Sequence, residues 1–249
     1  MSSKRFVPFA SLVLAFGLLL SCTKEFKENT PMLDELSDSA TIKIFNASVS
    51  SARNQLIIND ILTLRTVFTY NSTWPTSAAN TGFVVSPGQK SLVIKDSSAT
   101  STQPVQNIAL TAEAGKSYSI FLYDTVTAMK NKLVVNDIVI PSDTTSRLRF
   151  ANFSFRRATP APAIDVYSFN RKQLIFTNVA LNDVTGYISY PSLTSDTLAI
   201  LPAGATDTLV KLNGYSTTPK RSYTLVFRGV YTVTGTGATA RGVSSVTDY

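Results

Sequence analysis

Thr41-Ile42-Lys43-Ile44-Phe45-Asn46-Ala47-Ser48 returns further along the chain as Arg147-Leu148-Arg149-Phe150-Ala151-Asn152-Phe153-Ser154, at an offset of 106 residues. Lys116-Ser117-Tyr118-Ser119-Ile120-Phe121-Leu122 returns as Arg221-Ser222-Tyr223-Thr224-Leu225-Val226-Phe227, at an offset of 105. Two separate matches at nearly one offset indicate a duplicated unit. Between them, Pro87-Gly88 leading to Leu92-Val93-Ile94-Lys95 is matched by Pro202-Ala203-Gly204 leading to Leu209-Val210-Lys211-Leu212 at a larger offset, so the two halves differ by insertions.

Within each half, short runs rich in Val, Ile, Thr, Tyr and Phe alternate in polarity and are punctuated by Pro, Gly, Asn and Asp. That is the pattern of half-buried antiparallel strands, and no helical period is sustained anywhere. The alternation predicts that Ile42 and Ile44 face a core while Lys43 faces water, and likewise Leu148 and Phe150 against Arg147 and Arg149. The strands opened by Tyr118 and Tyr223 are expected near the middle of their sheets. The predicted fold is therefore all-β, with two tandem immunoglobulin-like antiparallel β-sandwich domains over residues 40–141 and 146–249. Their joint is expected at Pro141-Ser142-Asp143-Thr144-Thr145.

Four segments, Arg147 to Ser154, Pro162-Ala163-Ile164-Asp165-Val166-Tyr167, Leu201-Pro202-Ala203-Gly204 and Arg221 to Val226, resemble the successive strands of the domain-of-unknown-function family numbered 4397. The resemblance covers most of residues 147–228. In the first module only the Ile42 to Ser48 and Gly115 to Leu122 segments fit, and nothing there reproduces the Ala-Ile-Asp-Val-Tyr run. The resemblance implies a secreted or lipid-anchored β-sandwich and brings no catalytic residue with it.

The N-terminus gives an address. Lys4 and Arg5 precede an uncharged run from Phe6 to Leu20, which matches the apolar core of a secretory signal peptide and is shorter than the about 20 residues a spanning helix needs. Leu19-Leu20-Ser21-Cys22 follows and resembles the lipobox of bacterial lipoproteins, which implies cleavage after residue 21 and acylation of Cys22, the only cysteine. Residues 22–39 then read as the acylated Cys and a charged, flexible tether. Thr23 stands where an Asp would signal inner-membrane retention, and Lys24-Glu25 resembles the charged export signal of surface lipoproteins in Bacteroidetes. The expected location is the outer membrane, lipid-anchored, at the cell surface rather than its periplasmic face.

Composition excludes much chemistry. The 249 residues hold 23 Lys and Arg, 16 Asp and Glu, no His and one Cys, so no His-based relay, His-ligated metal or internal disulfide can form. The only Glu beyond the tether is Glu113, and most Asp sit in turn contexts such as Asn59-Asp60 and Asn136-Asp137. No Asp-x-Asp-x-Asp loop suggests calcium, and no cofactor is expected. The Lys and Arg are scattered rather than striped, so nucleic acid is not an expected partner.

The distinctive local feature is Thr69-Tyr70-Asn71-Ser72-Thr73-Trp74-Pro75, which sets the only Trp in a polar, turn-rich stretch. Tyr70 and Trp74 are ligand-binding candidates if exposed, because such rings stack on sugars or fill a partner's pocket; the same Trp would also serve to close one end of a sandwich. Tyr187 and Tyr190 form a second candidate pair with the same two readings. Six Asp are followed by Ser or Thr, resembling an O-glycosylation acceptor pattern, with Ser39 and Thr144 the most reachable. Together these features predict an envelope lipoprotein whose modules bind a glycan, an envelope polymer or a surface protein without catalysis. The alternative is a structural subunit or spacer of a surface complex or adhesive fibre. An exposed aromatic platform would favour binding, and a long unpaired edge strand would favour assembly.

Overall fold

The computed structural model describes residues 37–76, 82–157 and 159–249. The leader, Cys22 and nearly all of the tether lie outside the described residues. The first module is built from β1 (Ala40–Asn46), β2 (Ala52–Arg53), β3 (Gln55–Ile58), β4 (Ile61–Leu64), β5 (Phe68–Thr69), β6 (Thr73–Trp74), β7 (Phe83–Val85), β8 (Gly88–Lys95), β9 (Gln106–Ala112), β10 (Ser117–Tyr123) and β11 (Lys130–Asn136). The second comprises β12 (Ser146–Phe155), β13 (Ile164–Ser168), β14 (Gln173–Val179), β15 (Ile188–Tyr190), β16 (Asp196–Pro202), β17 (Val210–Tyr215), β18 (Ser222–Val230) and β19 (Gly242–Thr247).

The protein is all-β, and the duplication is visible in its topology. One sheet of the first module runs β11-β10-β1-β6, with β7 also on β1, and the other runs β4-β3-β8-β9. The second module repeats this as β19-β18-β12-β15 and β14-β13-β16-β17. Among these strands pairing is antiparallel except that in each module the first strand lies parallel to a later one, β1 to β10 and β12 to β18. These four strands hold the two segment pairs whose similarity reveals the repeat. Tyr118 and Tyr223 sit near the start of β10 and β18, which lie in the middle of their sheets as expected.

Each sandwich has its own core. Ile42 and Ile44 join Leu56, Leu92, Ile94 and Ile120 in the first, and Leu148 and Phe150 join Val166, Ile200, Leu225 and Phe227 in the second. On the opposite faces of β1 and β12, Lys43 and Arg149 do not meet water, which corrects the sequence expectation for these two, while Arg147 stays partly exposed. Lys43 is only 5% exposed and Arg149 2%, because Phe45, Ala47, Phe121, Ala151, Phe153, Val226 and Val246 form a third apolar cluster between the modules. The two inner sheets therefore pack on each other and produce a four-layer body. All of it falls within one compact unit. Alternation identifies two faces of a strand, but it does not say whether solvent or another sheet covers the polar one.

An aromatic run lies at the centre of this contact. Phe153 stacks on Phe121 at 4.9 Å and on Tyr123 at 5.1 Å between ring centroids. Beside it lies a polar network. Arg149 donates to Thr224 Oγ1 at 2.7 Å, Asn136 Oδ1 at 2.7 Å and Ser119 Oγ at 3.2 Å, and its guanidinium is 3.6 Å from Asp248 Oδ2. The Lys43 ammonium donates to the Thr247 carbonyl, and burial lowers its pKa against the opposing pull of Asp248. Lys132 reaches the other module too, at Asn182 and Asp183.

Candidate functional site

Of the four aromatic residues singled out from sequence, most of each ring is used inside the body. Trp74 is 0% exposed; it pairs with Ile44 across the β1–β6 ladder and stacks on Phe68 at 4.1 Å and 15°. It offers no face for a ligand, so of the two readings open from sequence the ligand-facing one is corrected and the core-closing one fits. Tyr190 is likewise buried, and its hydroxyl donates to Asp196 Oδ2 at 2.7 Å. Tyr187 is half-buried between the Arg147 and Arg149 guanidiniums, at 5.0 and 4.6 Å from the ring centroid, and donates to Asp248 Oδ2 at 2.8 Å. Burial first, then the neighbouring carboxylate, raises the pKa of Tyr187 and of Tyr190, so both remain protonated donors.

Tyr70 lies apart from these three. It is half-buried at the end of the junction between modules, where its hydroxyl donates to the Ala240 carbonyl at 2.7 Å and accepts from Arg228 Nη1 at 2.7 Å. The Arg228 guanidinium also lies over the Tyr70 ring at 4.7 Å, and its Nε donates to Asn71 Oδ1 at 2.7 Å. Burial raises the Tyr70 pKa more than Arg228 lowers it. Next to this knot opens a cleft of about 630 Å³, bounded by both modules. The contact depends on Gly229, at φ +89°, where an added Cβ would lie 2.2 Å from the Ala240 carbonyl oxygen and 2.5 Å from the Tyr70 hydroxyl. Gly229→Ala is expected to lower stability by about 1–3 kcal/mol through backbone strain and overpacking. A urea midpoint equal to that of the parent would mean the Ala240 segment gives way freely.

The exposed aromatic surface lies on residues that the sequence reading did not select. Along Ile164–Ser168 and into Phe169, Ile164, Val166 and Ser168 point inward, while Tyr167 and Phe169 point out from the outer sheet of the second module. Their rings meet edge to face at 5.2 Å. Register carries the surface across all four strands, since Tyr167 pairs with Leu174 and with Ala199, and Ala199 pairs with Lys211. Phe169 is 46% exposed and Leu174 43% exposed. The small Ala199 leaves a trough of about 360 Å³ bounded by Tyr167, Phe169, Leu174, Leu201, Ala205, Thr206 and Thr208. The Lys211 ammonium lies 5.1 Å from the Phe169 ring centroid.

The first module supplies an internal comparison. An outward row crosses its outer sheet in the same strand order as Leu62, Ile57, Val93 and Asn107. Where that row has Ile, Val and Asn, the second has Tyr, Ala and Lys. The second copy thus combines a ring, a gap and a cation on a face that the first copy fills with aliphatic bulk. An aromatic residue on the outward phase of an alternating strand is a signal visible in the sequence from Ile164 to Phe169.

The modification candidates are also located. Thr144 is exposed, and its carbonyl accepts a hydrogen bond from Ser192. Ser39 is half-buried, with its carbonyl accepting from the Gly115 amide at 2.8 Å. Cys22 lies outside the described residues.

No family model matches the chain, and no curated protein is similar enough to count as a relative.

Proposed function

We propose that the chain is a lipid-anchored outer-membrane protein, displayed at the cell surface through acylated Cys22, whose fused double sandwich binds a glycan without catalysing a reaction. In this reading it belongs with the secreted and lipid-anchored β-sandwiches of the family numbered 4397. The observation that carries the proposal is the outward Tyr167–Phe169 pair beside its trough. Rings of this kind present flat apolar faces matching the C–H faces of sugars, and the adjacent Thr206, Thr208 and Lys211 supply polar partners. The buried junction suits display, because it holds both modules as one body and presents the outer sheet in a fixed orientation.

The test is a glycan array probed with the full-length chain in detergent, run beside Tyr167→Ala and Phe169→Ala. Both side chains are partly exposed on an outer sheet, so the variants are expected to fold. Each is expected to weaken saccharide binding by roughly tenfold, since loss of a contact anchor commonly costs more than 1 kcal/mol. Binding that is unchanged in both variants would remove the platform from the account. A second reading, assembly with other surface subunits, draws on β11. It is an edge strand and carries Leu133 and Val135 exposed.

A further inference from the structure

The junction cleft has a different chemistry from the platform. Lys211, Arg228 and Arg241 line it, and no Asp or Glu does. Among the described residues, none of these three cations takes part in an ion pair. Arg228 is held by Tyr70, Asn71 and Ser244. Arg241 donates from Nε to the Leu209 carbonyl at 3.1 Å and from Nη1 to the Tyr231 carbonyl at 2.7 Å, which fixes the group. A guanidinium carries five N–H donors, and among the described residues neither Nη2 hydrogen of Arg241 has a partner. Uncompensated cations gathered in a concave site raise the local positive potential and draw anions to it.

We propose that this cleft binds the acid group of a saccharide chain, whether carboxylate, sulfate or phosphate. That the anion is carried by a saccharide rests on the platform reading above. Lys211 connects the two surfaces, since it lines the cleft and also lies over Phe169 on the platform. The cleft's Ser50, Thr69 and Thr236 add hydroxyls of the kind that pair with sugar hydroxyls. Position argues against a bilayer headgroup on the tether side. The Asn71 amide bonds to the Asn46 carbonyl, so the cleft adjoins the last residue of β1, while the tether joins at Ala40. Those ends of the strand are roughly 20 Å apart.

The experiment titrates the full-length chain in neutral detergent with an oligouronate, a neutral oligosaccharide of equal length, inorganic phosphate, and glycerol phosphate as a soluble lipid headgroup. The acidic oligosaccharide is expected to bind roughly tenfold more tightly than the neutral one at low salt, with the advantage shrinking as salt is added. Arg241→Gln and the exposed Lys211→Gln should each reduce that ratio several-fold, whereas Tyr167→Ala should weaken both sugars alike and leave the ratio standing. Equal binding of the two sugars by the parent overturns the cleft inference and leaves the platform intact. Loss of all saccharide binding overturns both. Phosphate or glycerol phosphate binding as tightly as the oligouronate overturns the saccharide as occupant.

Discussion

Trp74→Ala is expected to lower the free energy of unfolding by about 3–5 kcal/mol while leaving saccharide affinity per folded molecule unchanged. The indole is fully buried, lies flat against Phe68, and sits beside Ile44 at the end of β1. Its removal leaves a hole bounded by paired strands, which cannot move inward to fill it. The indole Nε1 has no hydrogen-bond partner among the described residues, so truncation breaks no polar contact, and the loss is one of packing. Urea denaturation and a saccharide titration, run on the same preparation, separate the outcomes. An unchanged midpoint with weakened binding would return Trp74 to the ligand.

Asp248→Asn is expected to cost about 3–5 kcal/mol as well, by a different route. Asp248 is buried, and its Oδ2 accepts from Tyr187 and Thr224 while facing Arg149 at 3.6 Å. Lys43 approaches from the other module and bonds to the carbonyl of the preceding residue. One carboxylate thus balances two buried cations, and an amide would leave both without a counter-charge. The damage should fall on the contact between sheets, so the variant is expected to melt over a broader range than the parent. A double-mutant cycle with Lys43→Met isolates the pair, and the lysine replacement should recover part of the loss. A variant that melts with the parent's midpoint and sharpness would mean that the network contributes nothing to holding the modules together.

Much of the architecture was legible because it is local. The apolar phase of Thr41 to Ser48 and of Arg147 to Ser154 gave the inward faces of β1 and β12, and their similarity gave the repeat. The polar phase was misread for a physical reason: Lys43 and Arg149 are buried by a second sheet rather than bathed by water. Their likeness in the two copies follows from both strands meeting at that contact. Trp74 admits both a core and a ligand reading in sequence because its neighbours are polar; its two-residue strand pairs with β1 and sets the ring in the core. The junction cleft was not legible at all. Asn71 and Arg228 stand 157 positions apart, and only the docking of the modules brings them into contact.

The parallel pairing of β1 also decides how the body meets a pull. Tension between Ala40 and a ligand seated in the junction cleft runs along the axis of β1, from its first residue to its last. The ladder to β10 lies beside that axis over six residue pairs, with β6 and β7 on the other flank. Drawing β1 out lengthwise must slide all of these bonds at once, whereas peeling it sideways would open them one at a time. The strand where the tether joins the body is therefore clamped on both sides, and tension along it would meet the sheet in shear.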